Sequence, residues 1–396
     1  MMKPSEDAIF SVSGAADFEK LALEIFRLQA AGCPVYGEYV SLLGINPEEV
    51  NSIFSIPFMP ISFFRDHAVI TSGENRPVKE EGEMGSFSSG SDTGRIVPGA
   101  GNAGRILPGA GNAGRILPGA GNTGRIVPGA DNAGRIIPGA GNTGRIFLSS
   151  GTTGVKQSRH IVREISIYDR SLEDGFRHFY GDPAGYAIMG LLPSYLEREG
   201  SSLIYMVNRL IQLSGNSIGG FFLDDQADLF RAIEAARSAG LKVLLIGVTF
   251  ALLDLAEKHP CDLSDLVIME TGGMKGRRHE MIREEVHEIL INAFGVTAVH
   301  SEYGMTELLS QAYSHGGGLF RTPPWMKVLI RDSHDPMSHS SEAGAAGGIS
   351  VIDLANLWSC SFIATADLGR MHPGNLFEVQ GRFDDSDIRG CNLLVS

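Results

Sequence analysis

The sequence predicts an α/β fold: a largely parallel sheet flanked by helices, followed by a small, mostly antiparallel C-terminal β subdomain. Three observations carry that expectation. Helix-spaced segments at 161–180, 200–214, 226–239, 248–259 and 277–294 alternate with short apolar runs: AIMGLL (187–192), IGGFFL (218–223), KVLLIGV (242–248), LVIMET (266–271) and VTAVHS (296–301). Strand and helix in strict turn point to a parallel sheet, and uninterrupted apolarity points to strands covered on both faces. From about Trp325 the character shifts to KVLIRD, GGISVIDL, SFIATADLG and NLFEVQGR, separated by turns. Finally, 396 residues with 43% hydrophobic content can bury a large core, either two or three domains or one large α/β domain with a satellite.

In chain order, Phe18, Leu21, Ala22, Ile25, Phe26 and Leu28 fall at helical spacing and predict a helix over 16–32 that ends at Gly32. A second helix is expected over 35–43. Pro57 and Pro60 in SIPFMPISFF mark an extended apolar crossing, and HAVIT (67–71) reads as a strand. Residues 1–91 are thus a helical cap with the first strands of the large domain, 147–324 the α/β core, and 325–396 the β subdomain.

Between them, 92–146 is a tandem repeat of period ten. Gly94-Arg95-Ile96 recurs at 104–106, 114–116, 124–126, 134–136 and 144–146, with Pro-Gly-Ala turns between. Twenty of these 55 residues are Gly or Pro, which is the composition of a low-complexity segment. Each unit offers two apolar residues, too few to offset the ordering of ten. A flexible insertion is the expectation; a solenoid would need more core per unit, and the six arginines leave a basic arm as an alternative.

The net charge of −13 argues against nucleic acid as the main partner. Cys33, Cys261, Cys360 and Cys391 are widely spaced, with no metal-ligand pattern, and suit free thiols in a reducing compartment. The N-terminus lacks the apolar core of a signal peptide and no run is long enough for a membrane span, so a cytoplasmic protein is expected.

The chemistry is expected where strands end. FLSSGTTGVKQSRH (147–160) enters from an apolar run into Ser149, Ser150, Gly151, Thr152, Thr153 and Gly154, with Lys156 behind. Its glycines permit close backbone approach, and its amides, hydroxyls and one ammonium suit phosphate oxygens. It is not a Walker loop, and on its own it is equally an ordinary surface turn. Gly272 and Gly273 follow LVIMET and could take a flat ring. Tyr303, Gly304, Thr306 and Glu307 follow VTAVH and offer an aromatic face, a close approach and oxygen ligands for Mg²⁺; equally, Glu307 could sit in the first turn of a helix. Asp367, after SFIATA, suits a pair of ribose hydroxyls. Arg382 and Cys391 lie in GRFDDSDIRGCNLLVS (381–396).

The order SSGTTG…K, TGG, YGMTE, aspartate, GR-x-D resembles the adenylate-forming superfamily of acyl-CoA synthetases, peptide-synthetase adenylation domains and luciferases. Within it, SSGTTGVKQSRH, LLPSYLEREGSSLIYMV, SEYGMTELLSQAY and GRFDDSDIRGCNLLV look more like the acyl-protein synthetases of bacterial bioluminescence, the LuxE type. The resemblance covers nearly everything outside 92–146. It implies ATP and Mg²⁺ as cofactors, a fatty acid or other carboxylate as substrate, formation of an acyl-adenylate, and transfer of the acyl group to a cysteine for an acyl-accepting reductase or carrier protein. It further implies that Ser149 to Gly154 with Lys156 hold the β- and γ-phosphates. Gly272, Gly273 and Tyr303, beside Gly304, frame adenine, Thr306 and Glu307 hold Mg²⁺, and Asp367 and Arg382 hold the ribose.

Longer members carry a mobile C-terminal domain with a catalytic lysine beyond GR-x-D. Here fourteen residues follow Arg382 and the last lysine is Lys327, so that domain is expected to be absent. Cys391, beside Arg389, is the expected acyl-accepting thiol; the other reading is a small apolar residue under the last strand. Two further functions compete: adenylation with transfer to an amine or hydroxyl of a small molecule or sugar, and a non-catalytic nucleotide-binding scaffold.

Overall fold

The computed structural model describes residues 4–72, 144–150, 156–193, 200–222, 226–272 and 281–383, with the backbone of short strands at 105–107, 115–117, 125–126 and 135–137. Helices α1 (Glu6–Phe10), α2 (Ala15–Gly32) and α3 (Pro34–Leu42) open the chain. The buried side of α2 is Phe18, Leu21, Ala22, Ile25, Phe26 and Gln29, the expected stripe extended by one polar residue. Pro34 at the first position of α3 is pre-set for a helix start. Strand β1 (Met59–Pro60) and the single turn α4 (Phe63–Asp66) follow.

The expected strand at 67–71 does not form. The Thr71 amide donates to the Trp358 carbonyl at 2.8 Å, its hydroxyl to the Ser359 carbonyl at 2.6 Å, and the Ser72 amide to Gly32 at 2.9 Å. Carbonyls of a turn and of the last residue of α2 satisfy this stretch, so no ladder is needed.

Among the described residues five repeat units supply strand, each on an Arg-Ile step: β2 (Arg105–Leu107), β3 (Arg115–Leu117), β4 (Arg125–Ile126) and β5 (Arg135–Ile137), and Gly144-Arg145-Ile146, which opens the next strand. β-Branched isoleucine between glycine and a Pro-Gly turn favours this choice. Strands β6 (Gly144–Leu148) and β7 (Arg159–Val162) form an antiparallel pair with β5 beside β6. The expected helix at 161–180 therefore starts later, as α5 (Ile165–Tyr180).

The α/β core then runs β8 (Tyr186–Leu191), α6 (Ser202–Ser214), β9 (Gly220–Phe222), α7 (Gln226–Ser238), β10 (Lys242–Val248), α8 (Thr249–Lys258), β11 (Val267–Thr271), α9 (Arg283–Phe294), β12 (His300–Tyr303) and β13 (Ala312–Ser314). The sheet order is β13-β12-β11-β10-β8-β9-β4-β2-β3. Pairs β8·β9, β8·β10, β10·β11 and β11·β12 are parallel. β8 is buried throughout and β10 is buried except at Lys242, as strands covered on both faces must be. The run VTAVHS is half connection. After the left-handed Gly295 that ends α9, Val296 and Val299 bury themselves in the crossing, and the ladder starts at His300.

The last layer is a sheet of order β14-β19-β18-β17-β15-β16, antiparallel along that path. Its strands are β14 (Leu319–Phe320), β15 (Met326–Arg331), β16 (His339–Ser340), β17 (Ala346–Asp353), β18 (Phe362–His372) and β19 (Leu376–Arg382). The N-terminal helices dock on this sheet. Gln29, fully buried, donates from Nε2 to the carbonyls of Asn356 (3.0 Å) and Leu357 (3.1 Å) and accepts from the Ser361 amide (2.9 Å). Tyr36 stacks on Phe362 at 6.1 Å, and Phe26 meets the same ring edge-on at 6.0 Å.

Candidate active site

The β6–β7 pair presents the hydroxyl-rich stretch. Its base is closed by Ser149, whose amide donates to the Ser158 carbonyl (3.1 Å) and whose hydroxyl accepts from the Ser158 amide (2.9 Å). Gly151, Thr152, Thr153, Gly154, Gly273 and Cys391 lie outside the described residues. Lys156 is well exposed, with Nζ 3.7 Å from Asp66 Oδ1.

Two residues on, the Ser158 side chain lies beside the carboxyl of Glu307 and lowers it. Glu307 is buried, at 5% exposure. Burial pushes its carboxyl above the usual range, the Ser158 side chain and the Arg382 charge pull it down, and Asp367 pushes it up. The hairpin, the turn after β12 and the end of the β18–β19 ladder therefore all act on the Glu307 carboxyl. No helix follows it: Thr306 and Glu307 form a turn.

That turn is held from below. His160, fully buried at the start of β7, donates from Nδ1 to the Thr306 carbonyl (2.8 Å) and accepts at Nε2 from the Ser359 hydroxyl (3.0 Å), the tautomer this network requires. Burial lowers the imidazole to about 4, so at neutral pH the ring is uncharged. Asn356 Nδ2 donates to the Glu307 carbonyl at 2.8 Å. Asp353 accepts from the amides of Leu309 and Ser310, both at 2.9 Å, and from the Ser310 hydroxyl at 2.6 Å. The sequence assigns His160 no catalytic role and does not single out Asn356 or Asp353; all three act as struts.

Asp367 lies inside β18, not beyond its end. It faces Arg382 across the ladder, beside the register shift at Leu368–Gly369. Its Oδ1 accepts from Arg382 Nε (3.0 Å) and its Oδ2 from the Tyr303 hydroxyl (2.9 Å). Arg382 is largely exposed while Asp367 is buried. Tyr303 is only 8% exposed, its ring edge-on to Phe377 (5.6 Å) and tilted against Phe320 (5.9 Å). The expected open aromatic face is therefore given to the core, and what remains is the hydroxyl that orients Asp367.

Gly272 leaves β11 at φ +74°, where L side chains are strained, and a Cβ on Gly304 would stand 2.3 Å from Glu302 Oε1. Glu302, unassigned from the sequence, accepts from the Thr271 hydroxyl at 2.6 Å. Burial, helped by the Glu270 charge and opposed by the Thr271 bond, raises its carboxyl to about 7. Because the folded value exceeds the unfolded one near 4.5, Glu302 favours the folded state least when ionised, and stability falls as pH rises from about 4.5 through 7. Glu302→Gln, which keeps the acceptor for Thr271, should remove that loss: urea midpoints should match wild type at pH 4 and exceed it at pH 8, where the gain in unfolding free energy is at most about 3 kcal/mol. Equal midpoints at pH 8 would contradict the assignment.

On the opposite side of the same strands, Glu270 binds Arg283 Nε (3.1 Å), the Thr249 hydroxyl (3.0 Å) and the Ser301 hydroxyl (3.0 Å). Burial pushes this carboxyl up, but His287, Arg283 and Thr249 outweigh it and hold it at about 2. Arg283 also donates to the Val379 carbonyl (3.1 Å), joining the core sheet to the strand that carries Arg382.

Among the described residues no group of three His, Cys, Asp or Glu side chains could by itself hold a metal. No described helix is long and apolar enough to cross a membrane. Cys33, Cys261 and Cys360 are free thiols; Cys33 and Cys360 are fully buried and pushed up by that burial. A groove of about 360 Å³ lies between α2 and α3, lined by Ala30, Gly37, Val40 and Ile45, well apart from the residues above.

No protein-family profile and no curated protein sequence matches the chain. Solved structures do. ATP-bound MatB from Rhodopseudomonas palustris is 16% identical over 60% of this chain and 47% of its own, with a TM-score of 0.45. The amide bond synthetase McbA from Marinactinospora thermotolerans is 18% identical over 61% and 49%, at 0.41. The luciferase-like enzyme of the nonluminescent mealworm Zophobas morio is 16% identical over 61% and 57%, at 0.42. The chain spans about half the length of the first two.

Proposed function

We propose that the chain activates a carboxylic acid with ATP, forming an acyl-adenylate and pyrophosphate, and passes the acyl group to the Cys391 thiol. The observation that supports this most is that Glu307 feels the Ser158 side chain and the charges of Asp367 and Arg382, which pair at 3.0 Å, so that three distant stretches act on one carboxyl. Lys156, Ser149 and Ser150, with the amides of Gly151, Thr152, Thr153 and Gly154, would take the β- and γ-phosphates. Gly272, Gly273 and Gly304 would border the adenine. Asp367, oriented by Tyr303, would share the ribose hydroxyls with Arg382.

The substrate carboxylate attacks the α-phosphorus, the bond from that phosphorus to the bridging oxygen breaks, and pyrophosphate leaves with the electron pair. The Cys391 thiolate then attacks the acyl carbon and AMP departs. Glu307 with Thr306 fits a Mg²⁺ site, because one protein carboxylate plus substrate phosphates is the donor set this ion prefers. A buried carboxyl that burial pushes up also gains from a nearby cation. When bound, the ion would neutralise charge on the phosphates. The rest is positioning: hydroxyls, amides and Lys156 placed where charge accumulates.

The test is pyrophosphate release from ATP across a panel of acids from short polar to long-chain, followed by intact mass. A mass gain of one acyl group, absent in Cys391→Ala while pyrophosphate release persists, is expected. No release with any acid would sink adenylation. Release with no protein-bound acyl group would leave adenylation standing and move the acceptor to a small-molecule amine or hydroxyl.

A further inference from the structure

The segment from Met59 to His67 runs between the two halves of this site. β1 lies parallel to β18, with Met59 opposite Ile363 and Pro60 opposite Ala364, and the Ile61 amide donates to the Ala364 carbonyl at 3.0 Å. That anchors it on the strand of Asp367. α4 then turns toward β7. Phe64, fully buried, sets its ring edge-on to His160 at 5.3 Å, and Asp66 reaches Lys156 at 3.7 Å. Arg65 donates to the same Asp66 carboxylate from Nε (3.3 Å) and Nη2 (3.2 Å). Both members of the Lys156–Asp66 pair are solvent-exposed, at 60% and 44%, so an incoming anion can reach them.

Lys156 carries the charge that the adenylation reading assigns to the phosphates, and Asp66 stands on it. A triphosphate approaching Lys156 meets a carboxylate on the same ammonium. We infer that Asp66 is a positioning residue that holds Lys156 at the α4 edge of the site and competes with the nucleotide phosphates for it. The inference rests on the adenylation reading. Two neighbours keep the competitor charged: the hydrogen bond from Arg65 is the main cause holding the Asp66 carboxyl below its ordinary range, and Lys156 adds to it. The Asp66 anion therefore persists throughout the neutral range.

Calorimetric titration of the full chain with Mg²⁺-ATP and with inorganic pyrophosphate tests this. Asp66→Asn should bind both about two- to fivefold more tightly at low salt, the scale of an exposed ion pair. The gain should shrink at about 0.5 M salt, where the screening length is only a few ångströms. Asp66→Glu, which keeps the charge, should match wild type. In a Lys156→Met background, Asp66→Asn should change affinity far less, because the contested cation is gone. A structural role for Asp66 would not tighten binding. Unchanged or weaker binding by Asp66→Asn, or the same gain without Lys156, overturns the inference and leaves adenylation intact. If wild type binds neither probe, the adenylation reading falls and this inference falls with it.

Discussion

Glu307→Gln should lower pyrophosphate release by about two to three orders of magnitude, the usual cost of removing one pre-placed charge partner from a reacting centre. The change is isosteric. The side-chain oxygen beside Ser158 is kept, and the Asn356 bond to the Glu307 backbone carbonyl is untouched. Only the negative charge is lost, and with it the hard oxygen ligand proposed for the metal. Stability should move the other way. The folded protein holds this carboxyl above its ordinary value, so its ionised form works against folding at neutral pH, and the neutral amide relieves that cost. The variant should therefore melt at or above the wild-type temperature at pH 7 while losing activity, a trade-off expected of a functional group buried for its chemistry. Full activity in Glu307→Gln would remove Glu307 from the mechanism.

His160→Ala should cost about 3 kcal/mol of unfolding free energy, read from urea denaturation. Three losses combine: the volume of a fully buried ring packed on Phe64, the donor to the Thr306 carbonyl, and the acceptor for Ser359. The carbonyl is left unpaired in the interior, which is the expensive part. Adenylation should fall as well, because the turn carrying Thr306 and Glu307 loses its support. His160→Asn restores a donor of similar reach toward Thr306 and should recover part of the stability. If the alanine variant is as stable as wild type, His160 does not support that turn.

Much of the scaffold is legible in the sequence because it is periodic. The stripe from Phe18 to Phe26 and the uninterrupted apolarity of KVLLIGV need no tertiary information, and both match α2 and β10 closely. Asp367 has no such periodic cue. An aspartate after SFIATA looks like the end of a strand, yet β18 continues through it because a register shift at Leu368–Gly369 and the facing Arg382 accommodate the charge within the ladder. The struts leave no pattern at all. His160 and Thr306 are 146 residues apart, and Asp353 meets Leu309 across 44. Single side-chain bonds to distant backbone have no period and no motif. HAVIT failed for the opposite reason: its apolar pattern suits a strand, but the carbonyls it meets belong to turns.

Gln29 finds its partners 327 and 328 positions later, at Asn356 and Leu357. On the ribosome, at roughly 5 to 20 residues per second, α2 would wait from about 15 seconds to over a minute for the surface that covers it. Phe26 can pack on Tyr36 of α3 early, but the surface that takes Gln29 is made only as the last strands emerge, so that side of α2 stays uncovered longest.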